Sequence, residues 1–421
     1  MATFLTGGSG FLGSHLLRAM LAAGEEVIAL VRAADPAEGR GRIERALARV
    51  GGAAEARSER LHVCLGDLSR FALGLDRRTT DRVVADCDQF LHCGATVRLR
   101  ESIETARAVN LAGTKSVIEL AQRRSRRGGV RRVDHVSTAF VAGNRTDLVG
   151  EDELDPRGGH KNAYERTKFE AEMAMRAAGR ELPVTVHRPS LVVGDSQNGA
   201  TSSFRTIYGP IRIYARGLWR TCPANPALPV DIVPVDFVRD AVMAIRRRPD
   251  TIGRAFHLAA GPRGSATIGS LAALLHETFP GRRPVRFVDP DRWARFVQPL
   301  LARLRVRRIT AVVREGGLYL PYFARMPRFD VTHTRALGLE PPAVRTYIET
   351  ILRYCIETDF GRRALNPAAT TGRAGSTDSS PARAGTAAAP PSSTVKRPPG
   401  SGYESDNPEE AVPATARRPA R

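Results

Sequence analysis

Thr3-Phe4-Leu5-Thr6-Gly7-Gly8-Ser9-Gly10-Phe11-Leu12-Gly13 opens the chain. A strand-like apolar run leads directly into glycines at Gly7, Gly10 and Gly13, and then into a helical stretch, Gly13–Ala23. Glycines at this spacing allow a tight turn and let the backbone approach a pyrophosphate. The pyrophosphate then sits on the helix N-terminus, where unpaired N–H groups and the helix dipole favour an anion. A glycine triplet alone is a weak signal, but its place between a strand and a helix strengthens it. Thr6, Gly7, Ser9, Gly10, Phe11, Leu12 and Gly13 are therefore the first candidate cofactor residues.

The same rhythm continues outward. Apolar runs of strand length fall at Thr3–Leu5, Val27–Val31, Leu61–Leu65, Gln89–Cys93, Val133–Val136, Val184–His187 and Ala255–Leu258. Amphipathic helical stretches lie between them, among them Ala106–Arg123 and Tyr164–Ala178. The alternation predicts an α/β fold: a Rossmann-type, doubly wound parallel sheet covered on both faces. The expected organisation is a dinucleotide-binding domain over 1–262, with a substrate-lobe segment inserted at 196–229. A smaller, mainly helical substrate lobe follows over 263–365. From 366 to 421 Pro, Ala, Ser, Thr and Gly dominate, and this tail reads as disordered and without chemistry. In the lobe, Ile268–Phe279 reads as a helix. Trp293, Phe296, Val297, Leu300, Leu301 and Leu304 then form an apolar stripe among arginines, with Pro299 expected to kink or break it. That stripe reads as a core-facing helix with a solvated back, the other reading being peripheral contact with a membrane.

Composition removes several classes of function. The 421 residues carry a formal charge of +20, which suggests a nucleic-acid binder. Of the 64 Lys+Arg, however, only Lys115, Lys161, Lys168 and Lys396 are lysine, and the arginines are scattered. A codon-driven arginine surface follows, and no nucleic acid is expected as a partner. Cys64, Cys87, Cys93, Cys222 and Cys355 are odd in number and widely spaced, which argues against a disulfide framework and against a metal site. The chain enters its first strand at once and has no apolar run near the ~20 residues that span a bilayer, so neither signal peptide nor transmembrane segment is expected. A cytoplasmic protein fits, with membrane association as the alternative.

Cofactor choice is read at the end of the second strand. NAD-binding proteins place an acid there for the ribose 2′-OH. Here the strand ends Leu30-Val31-Arg32, and a guanidinium suits a 2′-phosphate, so NADP(H) is expected. After the third strand come Asp67, placed for the adenine amino group, and Leu68. After the fourth come Gly94 and Ala95, small enough to let the chain pass the cofactor.

Tyr164-Glu165-Arg166-Thr167-Lys168 puts Tyr164 and Lys168 on one helix face. An ammonium beside a phenol favours the phenolate and lowers the tyrosine pKa, making a proton donor usable near neutrality. Lys161 reads as a surface residue. Ser137-Thr138, at the end of a buried strand, offers a hydroxyl for a substrate carbonyl, or a pair that satisfies local backbone groups.

Together these segments resemble the extended short-chain dehydrogenases/reductases over roughly residues 3–262. In detail the chain is similar to the thioester-reductase and fatty acyl-CoA reductase, or male sterility-type, branch. The resemblance also runs through Ser137-Thr138-Ala139-Phe140-Val141-Ala142-Gly143, Arg188-Pro189-Ser190-Leu191-Val192-Val193-Gly194 and Val233-Pro234-Val235-Asp236-Phe237-Val238. Beyond Pro262 it is loose, resting on Leu320-Pro321-Tyr322-Phe323 and Arg328-Phe329-Asp330. It implies that Thr138 is the active-site hydroxyl, Tyr164 the acid and Lys168 the lysine, with Asn110 near that lysine. Tyr164 and Lys168 would also touch the cofactor, and Pro189 and Ser190 would flank its nicotinamide. Ala142 stands where sugar-nucleotide enzymes have tyrosine, which favours the acyl branch. The resemblance thus implies an NADPH-dependent reductase of acyl thioesters, carried by coenzyme A or by a separate acyl-carrier protein, giving aldehyde or alcohol. The alternatives are a sugar-nucleotide epimerase/dehydratase or hydroxysteroid-type dehydrogenase, and lastly a non-enzymatic NADP-binding regulator, which has no need of Thr138, Tyr164 and Lys168 together.

Overall fold

Runs of strand length that are largely buried on both faces belong in parallel sheets, and their polar residues must find partners inside the protein. In the computed structural model, which describes residues 1–219, 221–297, 299–300 and 320–363, seven such runs make one parallel sheet. The strands are β1 (Ala2–Thr6), β2 (Val27–Val31), β3 (Leu61–Leu65), β4 (Cys87–His92), β5 (Arg132–Val136), β6 (Val184–Pro189) and β7 (Ala255–Leu258). Their order is β7-β6-β5-β4-β1-β2-β3. β1 lies between β4 and β2, with Phe4 opposite Ile28 on one side and Phe90 on the other. All seven expected strands form, and their ends agree to within a residue or two.

Successive side chains of a strand point to opposite faces, so Phe4 and Leu5 enter different cores. Leu5 packs with Leu16, Leu17 and Met20 of helix α1 (Phe11–Ala22), with Leu47 of α2 (Pro36–Arg49) and with Val242 of α6 (Val235–Arg246). Phe4 packs with Val84 of α3 (Arg77–Asp86), Val117 of α4 (Gly113–Gly128) and Met175 of α5 (Ala163–Ala178). Leu16, Leu17 and Met20 are wholly buried, and each such side chain contributes about 1.5–3 kcal/mol relative to exposure.

The expected helix Ala106–Arg123 is interrupted. An α-turn at Ile103–Arg107 passes into a π-turn at Ala108–Ala112 before α4 begins. The wider turn carries Asn110 inward, and the hydrogen bonds of its side chain, described below, offset the irregular backbone.

Beyond the sheet, helices Tyr208–Ala215, Ile268–Thr278 and Ile348–Glu357 pack around an apolar space. Short strand pairs tie this lobe to earlier chain: Leu191–Val193 with Ile232–Pro234, Thr221–Pro223 with Arg286–Val288, and Leu148–Val149 with Arg328–Phe329. One compact unit extends from Met1 to Asn366. The stripe at 293–304 is described only in part. Within the described part, Phe296 and Leu300 are 65% and 60% exposed, so these two side chains do not face a core as expected. A π-turn at Trp293–Val297 breaks the helical period that would have kept those side chains on one inward face. The expected disordered tail lies outside the described residues.

Candidate active site

Strand order reverses between β1 and β4, the point where an open α/β sheet leaves a crevice at its carboxyl edge. The turn after β1 lies there. Gly7 has φ +78°, and a Cβ on it would stand 2.6 Å from the Gly94 nitrogen. A Cβ on Gly13 would stand 2.0 Å from the Gly7 oxygen. Only glycine permits these approaches, and the resulting backbone cradle at the open N-terminus of α1 fits a dinucleotide pyrophosphate.

The cradle is braced from below. Thr6 Oγ1 contacts His92 Nδ1 at 2.7 Å and accepts from the Gly94 nitrogen at 3.1 Å. His92 Nε2 contacts Thr114 Oγ1 at 2.9 Å. His92 was not recognisable in the sequence as a site residue, because only the register of β4 turns it toward Thr6.

Tyr164 stands in the first turn of α5. Asn162 caps that helix, its side-chain oxygen accepting from the Glu165 nitrogen at 3.0 Å. Lys168, one turn on, is buried and donates from Nζ to the Val136 oxygen at 2.8 Å. Burial lowers its pKa to about 8, opposed by Cys93 and Glu172. Tyr164 moves the other way: burial pushes its phenol up to about 12 against a hydrogen bond from Thr138. The expected lowering by Lys168 does not occur, because desolvation outweighs every other influence and the ammonium is spent on a backbone carbonyl. Tyr164 is thus a neutral phenol at neutral pH, loaded with the proton a general acid needs.

Ser137 and Thr138 have different jobs. Ser137 Oγ donates to Glu172 Oε2 at 2.6 Å, within a buried group in which Arg188 pairs with Glu172 at 2.7 Å. Thr138 Oγ1 faces the Tyr164 phenol as its hydrogen-bond partner and also makes long contacts, 3.4 Å to the Pro189 oxygen and 3.3 Å from the Phe140 nitrogen. Asn110 is buried, with its polar atoms in use: Nδ2 donates to the Thr96 oxygen at 3.2 Å and Thr167 Oγ1 at 2.9 Å, and Oδ1 accepts from the Thr96 nitrogen at 2.8 Å. It ties the segment after β4 to the helix of Tyr164 and Lys168.

A single cavity of about 660 Å³ gathers most of the expected residues. Gly7, Ser9, Gly10, Phe11, Leu12 and Gly13 line one end. Ala95, Thr138, Tyr164, Lys168, Pro189 and Ser190 line the middle. Thr6, Leu68, Gly94 and Asn110 do not line it and act from behind. Arg32 and Asp67 do not line it either. They face each other at 3.9 Å, Arg32 being 70% exposed, and Arg42 donates to the Arg32 carbonyl at 2.8 Å. The far end, which the sequence did not reveal, is apolar: Ile211, Trp219, Leu274, Val285, Phe287 and Phe323. Lys161, expected on the surface, is half-buried, its ammonium donating to the Gly143 oxygen at 2.6 Å and lying 5.4 Å from the Tyr322 ring. Its place just before the helix cap folds it inward, and burial lowers its pKa.

Residues 5–242, more than half of the chain, match the NAD-binding family described as male sterility protein. The chain belongs to that family. The chain is 28% identical over 357 residues to the nonribosomal peptide synthetase asaC of Aspergillus flavus, covering 79% of the present chain and 34% of that protein. It is 26% identical over 276 residues to the fatty acyl-CoA reductase wat of Drosophila melanogaster, covering 57% and 53% of the two chains. Among solved structures, the terminal R domain of the myxalamid biosynthetic pathway superposes with a TM-score of 0.74 at 27% identity, covering 85% of this chain and 91% of that one. The chain spans about a third of the length of the peptide-synthetase relatives such as asaC. The expected resemblance and fold class are thereby borne out, and a nicotinamide cofactor follows from the family. Among the described residues no helix is long and apolar enough to cross a membrane.

Proposed function

We propose that this protein is an NADPH-dependent reductase of acyl thioesters, in which Thr138, Tyr164 and Lys168 act on the thioester carbonyl. The observation that carries the proposal is the continuity of one cavity, from the glycine cradle, past Tyr164, into an apolar chamber. A nucleotide sugar would bring hydroxyls and a diphosphate to that end, where Ile211, Trp219, Leu274, Val285, Phe287 and Phe323 offer them no partners, the polar lining nearby in chain order coming from Ser202, Ser203, Arg205 and Thr206. An acyl chain fits it, and this favours the thioester reading over the sugar-nucleotide one.

The bound dinucleotide would supply hydride. Gly7, Gly10 and Gly13 would hold its pyrophosphate, and Arg32, with Arg42 close by, would face a 2′-phosphate. The carbonyl oxygen of the substrate would sit against Thr138 and Tyr164. As negative charge gathers on that oxygen, the Thr138 hydroxyl stabilises it and Tyr164 gives it a proton. Lys168 orients the site from behind. Pro189 and Ser190 flank the position of the nicotinamide, and Asn110 keeps Thr96 and the Tyr164 helix in register. The acyl carrier, whether coenzyme A or a carrier protein, is expected to arrive as a separate molecule.

The decisive experiment follows thiol release. With a long-chain acyl-CoA, free thiol should appear in step with NADPH oxidation. NADPH oxidation with a keto-sugar or ketosteroid, and no thiol from any thioester tested, would defeat the reading.

A further inference from the structure

Ser202, Ser203, Arg205 and Thr206 stand on the wall of the cavity, in a loop just ahead of the helix Tyr208–Ala215. The next residues along that wall, Ile207, Pro210 and Ile211, already belong to its apolar part. The loop is firmly held. Phe204 stands edge-on to Tyr208 with ring centres 5.4 Å apart and stacks on Tyr354 at 6.2 Å. Its carbonyl accepts from Arg212 Nη2 at 3.0 Å, and Thr201 Oγ1 accepts from the Ser203 nitrogen at 3.1 Å. Thr206 has φ +54°, a backbone conformation that is costly for a β-branched residue and persists only where the surroundings impose it.

The polar groups on this loop are unengaged. Among the described residues, no hydrogen bond or ion pair takes up the Arg205 guanidinium or the hydroxyls of Ser202, Ser203 and Thr206. Three charged side chains of the described residues line the cavity: Arg49, Lys168 and Arg205. Lys168 donates to the Val136 oxygen, and Arg49 ends α2, in the dinucleotide half. Arg205 is the one that adjoins the apolar wall. A guanidinium among free hydroxyls is built for a phosphate, which it meets with two parallel charge-assisted bonds. The dinucleotide pyrophosphate already has the glycine cradle, and an acyl chain carries no anion. The pantetheine arm that presents an acyl group as a thioester does carry one. It ends in a phosphate, both in coenzyme A and on a carrier protein.

We infer that Arg205, with the hydroxyls of Ser202, Ser203 and Thr206, is the binding site for the phosphate of the pantetheine arm. The inference rests on the thioester reading and adds the handle by which the substrate is recognised. A loop already fixed by Phe204 loses little freedom when the phosphate arrives, so the contact is expressed as affinity.

The test places one acyl group on four thiols: pantetheine, 4′-phosphopantetheine, coenzyme A and a carrier protein bearing phosphopantetheine. The unaltered protein should show a lower KM with phosphopantetheine than with pantetheine. The Arg205 side chain is exposed, so Arg205→Ala leaves the packing intact. In that variant the kcat/KM ratio of phosphopantetheine over pantetheine should fall by roughly 10- to 100-fold, as for the loss of one charged contact, and the change should lie in KM. Arg205→Lys, which keeps the charge, should recover part of the ratio. A parallel fall with coenzyme A, with the carrier protein or with both supports the inference and tells which source reaches the site. NADPH affinity, read by fluorescence, should be unchanged. An unchanged ratio in Arg205→Ala would overturn the inference. Weaker NADPH binding would do the same, by giving Arg205 to the cofactor. So would a fall with coenzyme A but not with phosphopantetheine, which would assign Arg205 to the nucleotide of coenzyme A. If the unaltered protein releases thiol from none of the four thioesters, the thioester reading falls and takes the inference with it. If it releases thiol and only the ratio fails to move, the inference falls alone.

Discussion

Tyr164, Lys168 and Thr138 could be singled out in the sequence because the chemistry proposed for them depends on short spacings: four residues along a helix, and one strand end. What spacing could not show was the sign of the electrostatics. Burial pushes the Tyr164 phenol up to about 12, so the residue keeps its proton throughout the neutral range without help from Lys168. Tyr164→Phe should therefore lower turnover by on the order of 10²–10⁴, with NADPH affinity barely changed. An equal loss of cofactor affinity would reassign Tyr164 to binding. Arg32 was legible by its place at a strand end, but its 3.9 Å approach to Asp67 was not. A 2′-phosphate must compete with that carboxylate for the guanidinium. Arg32→Asp should narrow the preference for NADPH over NADH by roughly 10- to 100-fold, the worth of one charged hydrogen-bonding contact. Equal binding of both cofactors by the unaltered protein, measured by titration, would remove the basis for this assignment. Tyr322 was visible only as part of a loosely matching motif, since its partner Asn162 lies 160 residues away in the chain.

At the scale of elements, β2 is apolar throughout and β1 and β7 are mostly so, which makes them legible, whereas the buried Arg132 and Asp134 of β5 and Thr185 and Arg188 of β6 blur the pattern. The helix around Asn110 was misjudged because apolar periodicity does not reveal a single extra residue in a turn. The strands also carry a row of histidines that hydropathy alone does not explain. His92 of β4 lies opposite His135 of β5, their rings stacked at 5.4 Å, and His187 of β6 lies opposite Val136. Burial lowers the pKa of His92 to about 3 and that of His135 well below its ordinary value, aided in both by Lys168, and it lowers that of His187 against the pull of Asp134. His257, in β7, falls to about 3, with Arg188 adding to burial. These groups are neutral when folded and take up protons when unfolded. Their contribution is fully present above the unfolded pKa of ~6.5 and is lost as pH falls through ~6.5 toward 3, each by up to about 1.4 kcal/mol per pH unit. Glu151, Glu165 and Asp231, whose pKa values burial raises, oppose this trend. One residue can be isolated. His135 has no hydrogen-bond partner on either ring nitrogen, so His135→Phe removes a titration without removing a bond. The melting temperature should rise more at pH 5.5 than at pH 8, and equal shifts at the two values would show that His135 does not titrate with unfolding.

At the scale of the whole molecule, a smaller lobe beside the sheet was foreseen, but the residues that line its apolar chamber were not. The apolar chamber is assembled from residues as distant as Ile211, Leu274 and Phe323, each unremarkable in its own segment. Leu274→Trp should shorten the chain the chamber accepts. Turnover of long acyl thioesters should fall by roughly 10-fold or more, while short ones are spared. A uniform loss across chain lengths would show that the chamber does not hold the acyl group. The lobe also closes on the sheet through Glu151. Its carboxyl receives the His257 nitrogen, the Thr334 hydroxyl and the His333 nitrogen, the last from 182 residues further along the chain. A ribosome delivers Glu151 long before those donors, and until they emerge its carboxyl has no native place to be buried. Nascent chains arrested short of Thr334 should therefore remain open to protease around Glu151, and chains that have passed it should become resistant. The emergence of the segment around Thr334 would then set the moment at which Glu151 is first enclosed.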